Sequence, residues 1–248
     1  MKSLKKGFTL AEILIALSLI GIIAAMMIPQ LIDNTKRNRY GATLGKAVQQ
    51  IELGISNMIQ QANDNYSDGS IATTLDLINV ADVRGEAITN PANTLTNSFN
   101  LFELGQPYLG IEGINETEAT DYYENTDTNF SHGRIHLYKF NKFNAYVMYS
   151  AQKTGTLEGN DIYTIVAIDV NGNSKPNKIG RDIFGFGLTT TGKLTPAGTE
   201  KLKEFAAHAS PDFGNNVPLA EDGCKDGNIT NGWSCTARVI QDGFKINY

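Results

Sequence analysis

From Phe8 to Ile32 the chain holds one charged side chain, Glu12, in a run that is otherwise overwhelmingly apolar. A short basic leader, residues 1–7, precedes it and carries Lys2, Lys5 and Lys6. Leu10–Ile32 is about 23 residues, roughly 34 Å as a helix, enough to cross a bilayer core. A carboxylate within it costs on the order of 2.5–3.5 kcal/mol at mid-membrane and less near the edge. Two readings of Glu12 follow: it snorkels into the interface, or it pairs with a cation on a neighbouring copy of the helix.

The segment Lys5-Lys-Gly-Phe-Thr-Leu-Ala-Glu12, followed by unbroken apolar sequence to Gly21, resembles the signal of type IV pilins and type II secretion pseudopilins. The resemblance covers about the first 35 residues. It implies cleavage by a prepilin peptidase between Gly7 and Phe8, methylation of the new Phe8 amine, and a salt bridge from Glu12 to that amine on the adjacent subunit. Such a buried pair sets register better than it adds stability. A conventional secretory signal has an apolar core of only about 7–15 residues, and Glu12 would interrupt it. A plain uncleaved anchor explains the length but not Gly-Phe followed by Glu. Charge alone does not orient the span, because Lys2, Lys5 and Lys6 are balanced by Lys36, Arg37 and Arg39 beyond it. By resemblance the protein is single-pass in the inner membrane with its head outside the cytoplasm, and later part of a periplasmic or cell-surface filament.

The helix is expected to continue past the span. Tyr40, Leu44, Val48, Ile51, Ile55, Met58 and Ala62 recur in steps of four and three with polar residues between them, one stripe of an amphipathic helix. Asn63-Asp-Asn and Ser67-Asp-Gly-Ser70 end it. The chain thus divides into a leader (1–7), a membrane or filament-core helix (8–32), its amphipathic continuation (33–62) and a head (63–248). Gly21 and Pro29 are its weak points, costing about 1 and 3 kcal/mol. They are either tolerated breakers in a membrane helix or, by resemblance, the stretch that bends or melts on assembly.

The head is large enough for one core. Between Arg84 and Arg134 lie eight acidic residues and no basic one, which predicts an irregular exposed connection with short helices such as Leu75–Ala81. Strands are expected at Arg134–Phe140 and Ala145–Tyr149, joined by the turn Asn141–Asn144, at Tyr163–Val170, and at Ile183–Thr189 with Phe184, Phe186 and Leu188 on one side. A last pair, Ala237–Ile240 and Phe244–Tyr248, is expected around Gln241-Asp-Gly. A long helix followed by mainly antiparallel strands is the α+β class, and pilin heads resemble it.

Cys224 and Cys235 in an exported head most simply form one disulfide, closing a loop worth roughly 2.5–3 kcal/mol in chain-entropy terms. A zinc site would need two more ligands, and His132, His136 and His208 have no ligand-like spacing to the cysteines. Asp169, Asn171 and Asn173 follow a D-x-N-x-N spacing, with Asp182 closing the segment, and some pseudopilins bind calcium in such a loop. Against calcium stand Ser174 where an EF-hand has Gly, no Glu at position twelve, and Lys175, Lys178 and Arg181 nearby. The alternative is a rigid turn held by Asx side chains.

Spacing supports no catalytic triad or metal constellation, and Thr191-Gly-Lys-Leu-Thr195 lacks the upstream glycine of a phosphate loop. Net charge is −5, and loss of the three leader lysines makes it −8, unsuited to a general nucleic-acid binder. The expectation is a non-enzymatic structural subunit with no cofactor unless calcium. Its partners would be its own copies and other pilins or pseudopilins, the peptidase, the inner-membrane assembly platform and, before assembly, lipid. The contrasting class is a membrane-anchored binding protein that does not polymerise.

Overall fold

The computed structural model describes residues 7–65, 102, 106–124, 135–150, 162–189, 192–202 and 217–248. Helix α1 (Leu10–Asn65) is 56 residues long and passes unbroken through Gly21 and Pro29. Its first half is exposed on every side: Leu14, Ile15, Leu17, Ile20, Met26 and Leu31 all lie open. From Tyr40 onward one face is covered, and Leu44, Ile51 and Ile55 are fully buried. The stripe read from the sequence is the docked face; the side chain of Ala62 lies outside the described residues.

That face packs on a six-stranded sheet in which every neighbouring pair is antiparallel and strand order follows chain order: β1 (Ile111–Gly113), β2 (Ile135–Phe140), β3 (Tyr146–Ser150), β4 (Ile162–Asp169), β5 (Ile183–Thr189) and β6 (Leu194–Pro196). The protein is α+β and pilin-like in architecture. The predicted hairpin is present, with Leu137 opposite Met148 and Tyr138 opposite Val147. Period-two alternation sorts the side chains. Val166, Ile168, Phe184, Phe186 and Leu188 join the helix-side core, while Ile165, Ala167 and Ile183 join a second core on the far face. Each fully buried Leu or Ile of the α1 stripe contributes about 1.5–3 kcal/mol relative to exposure.

Two expectations need correction. The acidic connection is not irregular throughout: it contains α2 (Gln106–Leu109), β1 and α3 (Glu116–Glu124). Phe102, Leu109, Ile111 and Tyr122 are buried, whereas Glu112, Glu116, Asp121 and Glu124 face outward. Sparse apolar anchors, rather than average polarity, decide the structure there. The proposed helix at Leu75–Ala81 lies outside the described residues.

The final hairpin is also absent. After α4 (Ala220–Gly223), the short pair β7 (Cys224–Lys225) and β8 (Asn228–Ile229) and a 3-10 turn (Gly232–Ser234), the chain forms helix α5 (Cys235–Gln241). Gln241-Asp-Gly is the end of this helix. Gly243 is left-handed (φ 67°); Phe244 N–H donates to the Val239 carbonyl at 2.7 Å and Gly243 N–H to that of Ile240 at 3.1 Å. These two bonds form a Schellman cap. Residues 244–248 then run back along α1 without joining a strand.

The close fit of this tail to the helix depends on glycine. A Cβ on Gly41 would collide with the Phe244 carbonyl, and one on Gly45 would touch the Phe244 ring at 3.4 Å. Nothing lies within 4 Å of a Cβ placed on Gly21. Gly41→Ala is therefore expected to lower the unfolding free energy of the detergent-solubilised chain, because overpacking costs about 1–3 kcal/mol and outweighs the gain in helix propensity of up to about 1 kcal/mol. Gly21→Ala, measured by the same chemical denaturation, is expected to be neutral or mildly stabilising.

Candidate functional site: the helix start and the loop beneath the head

The Gly7–Phe8 bond lies just before the first helical turn, in a stretch with no regular secondary structure. The first intrahelical bond across the boundary runs from Ile13 N–H to the Thr9 carbonyl (3.2 Å). Phe8 is 83% exposed, and space around Gly7 is open. Among the described residues nothing covers this peptide, and it lies outside the helix.

Thr9 caps α1, and Glu12 completes the cap. Glu12 N–H donates to Thr9 Oγ1 (3.2 Å), while Glu12 Oε2 accepts from the Thr9 amide and hydroxyl, both at 2.8 Å. This reciprocal pair is a capping box, and the carboxylate also complements the positive end of the helix dipole. The pattern Thr-x-x-Glu ahead of an apolar run is a sequence-level signature of such a box, so the Thr9 cap is legible in the sequence itself. Oε1 of Glu12 makes no hydrogen bond among the described residues.

Residues 2–28 match the family model of the prokaryotic N-terminal methylation motif. The chain carries the type IV pilin and pseudopilin signal. The match includes Gly7, Phe8, Thr9 and Glu12 and ends within the span, before the head begins. No curated protein and no solved structure matches the chain.

The second candidate site is the loop from Asp169 to Asp182. Asp169, Asn171 and Asp182 come together in the interior, but Asn173 stays exposed. Asp169 Oδ1 accepts from the amides of Asn171 (2.9 Å) and Gly172 (3.0 Å), and Oδ2 accepts from the Tyr122 hydroxyl (2.8 Å). Asp182 accepts from the amides of Asn177 (2.8 Å) and Lys178 (2.6 Å) and from Asn171 Nδ2 (2.8 Å). Asn171 Nδ2 also reaches the Tyr40 hydroxyl on α1 at 3.2 Å. The two carboxylates of the expected cation site, Asp169 and Asp182, thus accept from N–H and O–H donors. This arrangement is that of two Asx-bonded carboxylates that shape the turn. Among the described residues no cluster of three or more metal-type side chains occurs.

Burial pushes Asp169 up to about 8, with the Asp182 charge adding to the rise and the accepted hydrogen bonds opposing it. Burial likewise raises Asp182. Outside the span, the Arg37 guanidinium holds Asp33 below the usual carboxylate range. Cys224 and Cys235 form the expected disulfide, with Cα atoms 5.0 Å apart, tying β7 to the start of α5.

The pH consequence has a definite sign. An acid raised from about 3.9 in the unfolded chain to about 8 in the fold stabilises below pH 4, and that contribution is lost as pH rises through 8. The unfolding free energy of the head should therefore fall between about pH 5 and 8. Asp169→Asn keeps the Asx oxygen and can donate to Tyr122, so it should flatten that slope; an unchanged slope in denaturation at several pH values would count against the buried acid. For the loop itself, millimolar calcium and excess chelator should give the same thermal midpoint in calorimetry.

Proposed function

We propose that the protein is a structural subunit of a filament: a minor pilin of a type IV pilus or a pseudopilin of a type II secretion system. In this reading it enters the inner membrane with its head outside the cytoplasm. Prepilin peptidase cleaves after Gly7 and the Phe8 amine is methylated. The assembly platform then extracts the subunit into a helical filament of pilins or pseudopilins. The observation that carries the proposal is the methylation motif at residues 2–28, lying on a helix whose apolar half is exposed on all sides while its other half is docked on a head.

Physically, the exposed half of α1 has two acceptable environments, lipid and the corresponding helices of other subunits. Cleavage creates a cation at Phe8 beside the ring of positions where Glu12 sits. In a packed filament the unengaged Oε1 of Glu12 would accept from a neighbour's Phe8 amine while Oε2 keeps its bonds to Thr9. A head of this size exceeds what a densely packed major subunit needs, which favours a minor pilin or pseudopilin.

One observation favours a second reading, an anchored binding protein that never polymerises: the capping box already gives Glu12 a partner on its own chain. Mass spectrometry of the mature N-terminus separates the two. Methylated Phe8 is expected for the filament subunit and intact Met1 for the plain anchor. Glu12→Ala should leave a processed, membrane-held subunit and reduce filaments by at least tenfold in electron micrographs; normal filament numbers would defeat the register role. Gly7→Val should leave the leader attached, seen as an unprocessed band on a gel.

A further inference from the structure

Where α1 leaves the apolar run, the head forms a cleft of about 290 Å³. Its cations are Arg37, Lys178 and Arg181, and its apolar wall includes Ile179, Ile229 and Ile246. We propose that this cleft binds the headgroup of an anionic phospholipid at the membrane surface, with the acyl chains remaining beside the span. The inference rests on the membrane reading of α1.

Depth is the first support. Arg37 lies five residues past Ile32, about 7.5 Å along the helix axis. The headgroup layer on one side of a bilayer is roughly 5–7.5 Å thick, from a total of about 40–45 Å around a core of about 30 Å. The cleft therefore opens at headgroup level when the apolar run fills the core.

Charge is the second. Among the described residues that line the cleft, no side chain is acidic. Asp33 sits at its edge and accepts from Arg37 Nε (2.8 Å) and Arg181 Nη2 (2.7 Å). Arg37 also donates to the Tyr248 main-chain oxygen. One carboxylate thus holds two guanidinium groups in place and leaves most of their donors unused, while Lys178 is exposed and makes no hydrogen bond through Nζ among the described residues. Guanidinium forks suit phosphate oxygens.

Shape is the third. Gly180, at φ 82°, packs so tightly on Gly232 that a Cβ would lie 2.7 Å from the Gly232 carbonyl oxygen, and the Tyr248 hydroxyl donates to the Gly180 carbonyl at 2.6 Å. The floor is therefore fixed by backbone contact. The volume suits a phosphoglycerol headgroup but not a whole lipid, being at the lower limit for small-molecule sites. Apolar isoleucines beside three cations match the junction of a phosphate with the first carbons of its acyl chains.

The test uses the full chain in nanodiscs of phosphatidylglycerol and phosphatidylcholine in equal parts, with retained lipid counted by native mass spectrometry. Phosphatidylglycerol is expected to be retained about tenfold over phosphatidylcholine. Removing cations from the surface weakens such contacts several-fold each, so Lys178→Gln with Arg181→Gln should bring the ratio near one. Lys178→Gln alone, at a side chain the fold does not use, should lower it several-fold. Equal retention in the wild type, or an unchanged ratio in both variants, would overturn the proposal. Displacement of the lipid by millimolar inorganic phosphate would also overturn it, marking a free-anion site. Carbonate extraction tests the anchor separately: a resistant chain without lipid preference defeats this inference alone, while an extractable chain defeats the membrane reading beneath it.

Discussion

One helix must satisfy two environments, and the rest of the structure follows from where it changes from one to the other. Up to Ile32, α1 is overwhelmingly apolar and nothing among the described residues covers it. Beyond Tyr40 only one face is apolar, and the sheet covers that face. Helix α1 links the two regions as one 56-residue helix, although Pro29 has no N–H to offer the carbonyl four residues before it. A shift of the sheet along α1 would disturb the stripe from Tyr40 to Met58.

The junction from Asp33 to Gly45 makes this coupling specific. Asp33 bonds Arg181, Tyr40 receives Asn171, and Gly41 and Gly45 admit the Phe244 segment at close range. These contacts join α1 to residues more than 130 positions later in the chain. Hydrophobic packing alone would tolerate sliding by a helical turn, since the stripe repeats. Polar pairs and a glycine contact with backbone do not repeat, so they choose one register. Surface ion pairs add little to stability; their value here is geometric.

The elements legible in the sequence were those with strong periodicity. The apolar run, the stripe and strands β2 to β5 could be read because burial imposes a spacing on residue types. The tail failed for an identifiable reason. Asp-Gly supplies a left-handed residue equally well to a hairpin turn and to a helix C-terminus, and Ala-Arg-Val-Ile is too short for its period to decide between them. The Asp169 loop was ambiguous in a similar way, since the same oxygens bind a cation or backbone amides, and only the buried Tyr122 and the placement of Asn173 show which donors they meet. The partners of Asp33 and Tyr40 lie too far away in sequence for any local pattern to show them. The Thr9 cap was also legible, because Thr-x-x-Glu ahead of an apolar run carries its own local signature.

The placement of the buried acids then follows from the same coupling. An apolar turn at residues 169–182 would stabilise the head more simply, because burying carboxylates is costly unless each oxygen is bonded. It would not, however, present a polar atom to the face of α1. Asn171, fixed by Asp182 on one side and by the Asp169 turn on the other, hands one N–H to Tyr40 at the first buried position of the helix. The network thus carries the position of the strand β4–β5 connection to the point where α1 enters the head. A change that removes either carboxylate charge without removing its oxygens should preserve this geometry, whereas a change that removes the oxygens should loosen the helix first at Tyr40 and only later in the sheet.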